Sequence, residues 1–150
     1  MNRVLRRVGI DWGSESHQVC RIDGEGEPKQ RGFPHTSEGL RALVAFVMEG
    51  EIHPEQLAIA IEVNHGAVVE ALLAKGLSVY SINPKLLDRL RDRFSPAGAK
   101  DDRRDAFVLA SCVESPEGRL RARTHRRSGR SSQATTGIHD CKRRRDFVRI

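Results

Sequence analysis

Residues 8–13 read Val-Gly-Ile-Asp-Trp-Gly, a short apolar run that ends on a carboxylate. Residues 57–62, Leu-Ala-Ile-Ala-Ile-Glu, have the same form. Short apolar runs bounded by polar and turn residues are typical of buried β-strands. We therefore expect Asp11 and Glu62 where two strands leave the core. A run that is apolar nearly throughout also indicates a strand covered on both faces, as in an α/β sheet.

Two further carboxylates lie in residues 100–106, Lys-Asp-Asp-Arg-Arg-Asp-Ala. Asp102 and Asp105 are three positions apart in a helical pattern, which predicts that both side chains lie on one helix face. Carboxylates gathered in one place repel one another unless a cation neutralises them. Hard oxygen ligands favour Mg²⁺ or Mn²⁺, and a pair of such ions is typical of phosphoryl transfer. The sequence therefore predicts that Asp11, Glu62, Asp102 and Asp105 are catalytic ligands of two divalent ions.

Each of these acids, taken alone, has a simpler explanation. Asp101 or Asp102 could be the N-cap of a helix, and Asp105 could be a first-turn acid that complements the helix dipole. Glu62 could be an exposed strand end. Asp101 and Asp105 also share a helix face at the i, i+4 spacing, so the sequence leaves open whether Asp101 or Asp102 is the ligand.

The order of predicted elements indicates the architecture. The patterns predict an α/β fold, in which an antiparallel meander of three strands leads into parallel strands joined by helices. Five strands are expected. Four cover residues 4–11, 18–23, 57–62 and 77–82, and the third strand in chain order passes through Phe33. The helices are expected from Thr36 or Ser37 to Gly50, over about 66–75, after Pro84, and over about 101–113.

Charge divides the chain into two parts. Residues 1–118 hold 15 Lys/Arg against 18 Asp/Glu, a net of −3, whereas residues 119–150 hold 11 against 2, a net of +9. The second part also lacks apolar periodicity. We therefore predict one folded domain over residues 1–118 and a basic, disordered tail over residues 119–150. The tail is either a contact for nucleic acid or a solvated segment without a partner.

Cysteine usage and hydropathy favour a cytoplasmic protein. The three cysteines, Cys20, Cys112 and Cys141, form no Cys-x-x-Cys pair and no zinc-ligand spacing. Scattered cysteines in odd number favour a reduced, intracellular protein. No stretch approaches the roughly 18 apolar residues of a membrane span, and the N-terminus lacks the apolar segment of a signal peptide. We expect no membrane partner.

Four segments occur in the order and at the spacing of a known family. They are Val-Gly-Ile-Asp at 8–11, Ile-Glu at 61–62, Val-Tyr-Ser-Ile-Asn-Pro at 79–84, and Ala-Lys-Asp-Asp-Arg-Arg-Asp-Ala at 99–106. Together they resemble the N-terminal domain of the DEDD transposases, insertion-sequence recombinases with a fold like RuvC and ribonuclease H. The resemblance covers about residues 4–115.

The resemblance implies a ribonuclease H-like mixed sheet and magnesium-dependent cleavage and joining of DNA strands in transposition and recombination. It implies that the four acids are Asp11, Glu62, Asp102 and Asp105. DNA is the implied substrate, and a structured guide RNA from the same element is an implied partner. Related proteins act as oligomers, so self-association is a further expectation.

The chain departs from the family after the first domain. Family members continue into a helical segment and a second domain with a serine that attacks DNA. Ser131 and Ser132 do not match that serine, because nothing around them matches the family. We therefore expect a truncated or frame-shifted remnant that is incomplete on its own.

Cations flank the predicted site. Lys100, Arg103, Arg89 and Arg93 are expected to hold the phosphate backbone of a nucleic acid, which adds affinity without sequence preference. The alternative is a solvated helix face with internal ion pairs, and Arg91 is expected to point outward with Arg89 and Arg93. Aromatic residues are too scattered for a base-stacking platform.

Trp12 follows Asp11 directly. It is expected either to touch nucleic acid or to pack over the site.

Two other classes of function compete with the recombinase hypothesis. Residues 8–13 also fit the first phosphate loop of the actin-like ATPases, with Ser14 near a phosphate, but this chain has neither a second Asp-x-Gly loop nor a glycine-rich adenosine site. The other class is a non-catalytic nucleic-acid-binding remnant, which the missing serine favours.

Overall fold

The computed structural model describes residues 4–94, 102–113 and 147–150. The strands are β1 (Arg6–Asp11), β2 (Ser16–Asp23), β3 (Lys29–Pro34), β4 (Leu57–Ile61), β5 (Ser78–Ile82) and β6 (Phe147–Arg149). The helices are α1 (Ser37–Val47), α2 (Ala67–Leu73), α3 (Pro84–Phe94) and α4 (Asp102–Cys112), and a 3₁₀ turn spans Pro54–Gln56.

One mixed sheet carries all of these strands in the order β3-β2-β1-β4-β5-β6. β1, β2 and β3 form an antiparallel meander, whereas β4 pairs with β1 and β5 pairs with β4 in parallel. The predicted fold class is confirmed: this is an α/β sheet of the ribonuclease H-like kind, with a meander followed by parallel crossovers.

Two segments differ from the sequence-based expectations. Residues 147–149 were expected to be part of a disordered tail, but they form β6, which pairs antiparallel with β5. Their sequence has no strand period, so backbone pairing with an available sheet edge is the physical reason for this strand. The 3₁₀ turn at Pro54–Gln56 was also not expected. Residues 114–118 and the tail residues 119–146 lie outside the described residues.

The two faces of the sheet differ in the size of their side chains. β4 is buried throughout, and its odd-numbered residues (Leu57, Ile59 and Ile61) pack with α1 and α2. Its even-numbered residues, Ala58 and Ala60, pack with α3 and α4. Because successive strand residues point to opposite faces, a Leu/Ile/Ala alternation makes one face bulky and the other nearly flat. The flat face allows a helix to approach the sheet closely.

Gly9 brings α4 onto this flat face. A Cβ at Gly9 would lie 2.0 Å from the carbonyl oxygen of Ala106 and 2.3 Å from the amide nitrogen of Ala110. The helix backbone therefore occupies the space of the missing side chain. Ala106 and Ala110 also pack against Cys20 and Ile22 of β2. α4 thus crosses β1, β2 and β4, and its residues Ala106, Leu109 and Ala110 are fully buried.

The opposite end of the sheet is held by two buried arginines. Arg21 donates from Nη1 to the carbonyl oxygen of Phe46 (2.7 Å) and to Oε2 of Glu49 (2.6 Å). Arg6 donates from Nη1 to the carbonyl oxygens of Val47 and Glu49, each at 2.8 Å. Carbonyls at a helix C-terminus have no partner within the helix. These arginines therefore anchor the end of α1 to β1 and β2.

Candidate functional site

Strand register brings the first two acids together. β1 and β4 are parallel, and Ile10 is aligned with Ile61, so Asp11 and Glu62 follow at the same level. Gly9, Ala58 and Ala60 face α4, and the two-residue period carries Asp11 and Glu62 to the same face. The sequence-based expectation that each acid marks a strand end agrees with this arrangement.

Helix α4 adds the other two acids. Its residues 106–110 lie over Gly9, and its first turn carries Asp102 and Asp105. Asp105 is 3% exposed, whereas Asp102 is exposed. α4 runs back over β1, so its N-terminal turn lies toward the end of β1 that carries Asp11.

The pKa of Asp11 reports this convergence. The pKa of Asp11 is raised from 3.8 to about 7. Burial is the largest cause, followed by the negative charges of Asp105, Asp102 and Glu62 in that order. The positive charge of Arg91 opposes the shift. Four carboxylates from three segments are therefore electrostatically coupled, and the cluster carries more negative charge than Arg91 balances.

The predicted orientation of Arg91 is wrong. Arg91 was expected to point outward from α3, but its Nε and Nη2 donate to Oδ1 and Oδ2 of Asp105, each at 2.7 Å. Its Nη1 also donates to Asp88. The planar fork of a guanidinium matches both carboxylate oxygens at once, and this hydrogen bond raises the pKa of Arg91. The partner is on another helix, so helical spacing alone does not predict this pair.

The carboxylate oxygens of the four acids are suitable ligands for a divalent cation, but they do not form a complete coordination site. Within residues 4–94, 102–113 and 147–150, no three Asp, Glu, His or Cys side chains are placed to hold a metal ion as they stand. The ion pair with Arg91 explains part of this, because it takes both oxygens of Asp105. The hard oxygen donors fit Mg²⁺ or Mn²⁺.

The predicted phosphate-binding cations are only partly described. Arg89 on α3 and Arg103 on α4 are exposed. Arg93 belongs to α3, but its side chain is outside the described residues, as are Lys100 and Asp101. The choice between Asp101 and Asp102 as a ligand thus stays a prediction, although Asp102 does contribute to the shifted pKa of Asp11.

A histidine pair beside Asp11 was missed at the sequence level. His17 is fully buried, and its Nε2 lies 2.8 Å from Nδ1 of His35. Burial and the neighbouring His35 lower the pKa of His17, which favours its neutral form. The ring of Trp12 lies 6.2 Å from that of His17 and 6.5 Å from that of His35, centroid to centroid. The two histidines are eighteen residues apart, so only the pairing of β2 with β3 brings them together.

Among the helices of the described residues, none combines the length and apolar character needed to cross a membrane.

Comparison with known proteins identifies the family. The sequence model of the DEDD transposases of the IS110 type, described as a transposase family, matches residues 8–147. "Putative transposase y4uE" of Sinorhizobium fredii is 50% identical over 109 residues, which are 71% of this chain and 30% of that protein. The "Mini-circle putative transposase for IS117" of Streptomyces coelicolor is 33% identical over 107 residues, which are 70% of this chain and 26% of that protein.

The chain thus spans less than a third of the length of these two curated relatives. The family match extends to residue 147, past the predicted domain boundary at residue 118. Since the match covers most of the sequence, this chain belongs to the DEDD transposases of the IS110 type.

Proposed function

We propose that this chain is the RuvC-like catalytic domain of a transposase and that its four acids support metal-dependent cleavage of a DNA strand. Transposase membership indicates DNA as a partner, and the DEDD family indicates a general dependence on divalent metal. The observation that supports the proposal is geometric: strand register aligns Asp11 with Glu62, and α4 packs over Gly9 with Asp102 and Asp105 in its first turn. Burial and the charges of these acids raise the pKa of Asp11, and perturbed pKa values of this kind cluster at functional sites.

The placement of the acids suggests their roles. Asp11, at the end of β1, would hold the divalent ions together with Glu62, Asp102 and Asp105. When bound, two divalent ions would activate the attacking oxygen and stabilise the leaving oxygen. The chain itself would release the proton of Asp11 and separate Asp105 from Arg91. The freed guanidinium of Arg91 would then be available to a phosphate oxygen.

Basic residues around the site would hold the nucleic-acid backbone. Arg103 is exposed in the first turn of α4, and Arg89 is exposed on α3, two residues before Arg91. We include Arg93, Lys100 and the basic residues 119–146 in the proposed binding surface from their charge and position in the sequence. Such contacts should weaken steeply as salt concentration rises.

The whole transposition reaction is a broader proposal. A structured guide RNA and self-association remain expectations from the resemblance, and a cytoplasmic location remains an expectation from cysteine usage and hydropathy. Strand joining by an attacking serine is also only an expectation from the resemblance, because neither Ser131 nor Ser132 matches that serine. For this chain we therefore propose hydrolysis, with water in place of a serine as the attacking group.

A nuclease assay with metal titration tests the proposal. The full chain should take up Mg²⁺ or Mn²⁺ in calorimetry and cleave end-labelled branched DNA. Asp11→Asn and Glu62→Gln should abolish both metal uptake and cleavage. The matched control is Glu70→Gln, an exposed acid on α2 across the sheet from α4, which should retain both. Equal metal uptake by Asp11→Asn and the wild type would refute the proposed site.

A second candidate is a nucleic-acid-binding domain without catalysis. The bidentate contact of Arg91 with Asp105 favours it, because this contact neutralises one acid internally. The same assay separates the two: salt-sensitive binding of branched DNA without metal uptake would select the non-catalytic domain.

A further inference from the structure

The loop between β1 and β2 presents an aromatic ring that the proposed cleavage chemistry does not use. Trp12 follows Asp11 and is 41% exposed, one of three large apolar residues so exposed in the described part of the chain. A single exposed apolar residue on a surface is ordinary. What sets Trp12 apart is the rigid support around its loop.

Two histidines hold this loop in place. The amide of Gly13 donates to Nδ1 of the buried His17 (3.3 Å), and the amide of His35 donates to the carbonyl oxygen of Glu15 (2.8 Å). Because Nδ1 of His17 accepts, its ring proton is on Nε2 and is donated to Nδ1 of His35 (2.8 Å). The loop is thereby tied to β2 and to the segment after β3.

Neither His17 nor His35 stacks on the indole ring of Trp12. The rings of Trp12 and His35 are inclined at 76°, and those of Trp12 and His17 at 40°. Neither histidine therefore lies parallel to the indole. A fixed, partly exposed indole is the surface on which a planar base stacks, and every nucleobase has such a face.

The position of Trp12 connects it to the acids. Its Cα is about 3.8 Å from that of Asp11, as for any neighbours along the chain. Trp12 is the first residue after β1, and its ring lies beside those of His17 and His35. Trp12 is thus next to the acid at the end of β1, on the side of the strand ends where β2 begins. A nucleic-acid strand passing here would place a phosphate at the acids and a neighbouring base at the indole.

We infer that Trp12, with His35 beside it, binds an unstacked nucleobase adjacent to the phosphate at the acidic site. The inference rests on the proposed function, because a phosphate held at the acids is what brings a base to the indole. Single-stranded DNA and single-stranded RNA offer the same aromatic face. The nucleobase is therefore the ligand, and the two strands are separate arms of the test.

Trp12 is the only tryptophan in the sequence, so its fluorescence reports this position alone. The full chain, in Ca²⁺ to limit cleavage, is titrated with a single-stranded DNA oligonucleotide and, separately, with RNA of the same sequence. We expect saturable quenching that follows the binding curve from the anisotropy of a labelled oligonucleotide. An oligonucleotide with abasic sugars keeps the backbone charge and should bind without quenching. The nucleic acid whose quenching curve gives the lower Kd, DNA or RNA, is the preferred ligand.

Variants give an independent measure of the same contact. Trp12→Ala should weaken oligonucleotide binding by about 5- to 150-fold, the range for loss of one stacked base, and Trp12→Phe should retain most of the affinity. The control is Leu73→Ala, which removes another exposed apolar side chain on α2 and should leave binding unchanged. Binding of the base-bearing oligonucleotides without quenching, or wild-type affinity of Trp12→Ala for them, would overturn the inference.

The two proposals fail separately. Metal-dependent cleavage without Trp12 quenching would overturn only the stacking surface. Quenching that saturates in a chain without metal uptake or cleavage would support the base contact and overturn the proposed strand cleavage.

Discussion

Gly9 of β1 leaves the space that the backbone of Ala106 in α4 occupies: a Cβ at Gly9 would lie 2.0 Å from the Ala106 carbonyl oxygen. This contact sets how close α4 lies to the sheet. Asp105 precedes Ala106, and Asp11 is two residues beyond Gly9, so the same contact sets the separation of the two acids. The stability of the fold and the assembly of the site therefore depend on one glycine.

Gly9→Ala should destabilise the protein and weaken metal uptake together. The added methyl group collides with helix backbone, which cannot rotate away as a side chain can, so we expect a loss of about 1–3 kcal/mol or more. Urea denaturation and calorimetric metal titration measure the two effects. Gly32→Ala is the control, because a Cβ there meets only the side chain of Gln18, and it should stay within about 0.5 kcal/mol of the wild type. Equal effects of the two substitutions would contradict this account of α4.

Arg91→Gln should destabilise the metal-free protein. It leaves the buried carboxylate of Asp105 without its bidentate partner, at a cost of about 1–3 kcal/mol. Mg²⁺ should then raise the melting temperature more in Arg91→Gln than in the wild type, because the cation no longer competes with the guanidinium.

Arg91→Lys is the matched control for that substitution. It keeps the charge but loses the planar fork, so its response to Mg²⁺ should lie between those of the wild type and Arg91→Gln. Identical thermal shifts in all three proteins would show that Arg91 does not compete with the metal.

Stability in EDTA should depend on pH through Asp11. Its carboxyl ionises near pH 3.8 when unperturbed and near pH 7 in the folded protein. The folded state therefore holds a proton that the unfolded chain has lost, and this contribution is complete below pH 3.8 and lost as the pH rises through 7.

Asp11→Asn cannot lose that proton. The free energy of unfolding of the wild type, relative to Asp11→Asn, should decrease between pH 4 and pH 7 and then level off. Chemical denaturation of both proteins at several pH values measures the difference, and parallel curves would contradict the raised pKa.

Arg21→Met should destabilise the fold without affecting the acidic site. It removes the donors to the carbonyl of Phe46 and to Glu49 at the end of α1, which we expect to cost about 1–3 kcal/mol. Metal affinity of the folded fraction should be unchanged, since Arg21 packs on the face opposite α4. Arg41→Met, at an exposed position of α1, is the control and should change stability little. A parallel loss of metal affinity in Arg21→Met would contradict the separation of the two regions.

Local pattern determined the elements that position the site. Residues 8–11 and 57–62 are apolar runs that end on acids, and parallel pairing of such strands aligns their ends, so the convergence of Asp11 and Glu62 could be predicted from the sequence. Asp102 and Asp105 were predictable as a pair because helical spacing depends only on neighbouring residues. The cap at Thr36, which accepts from the amide of Gly39, was predictable for the same reason.

Contacts between distant segments were decided by the tertiary structure. The partner of Arg91 is fourteen residues away on another helix, and that of His17 is eighteen residues away beyond a turn. β6 pairs with β5 through backbone groups, which carry no side-chain pattern to read. By itself, the sequence determined which segments form β1 to β5 and the four α-helices, since that depends on periodicity along the chain. Which charges and rings meet was decided only when the sheet and α4 packed, because packing alone sets distances between residues far apart in sequence.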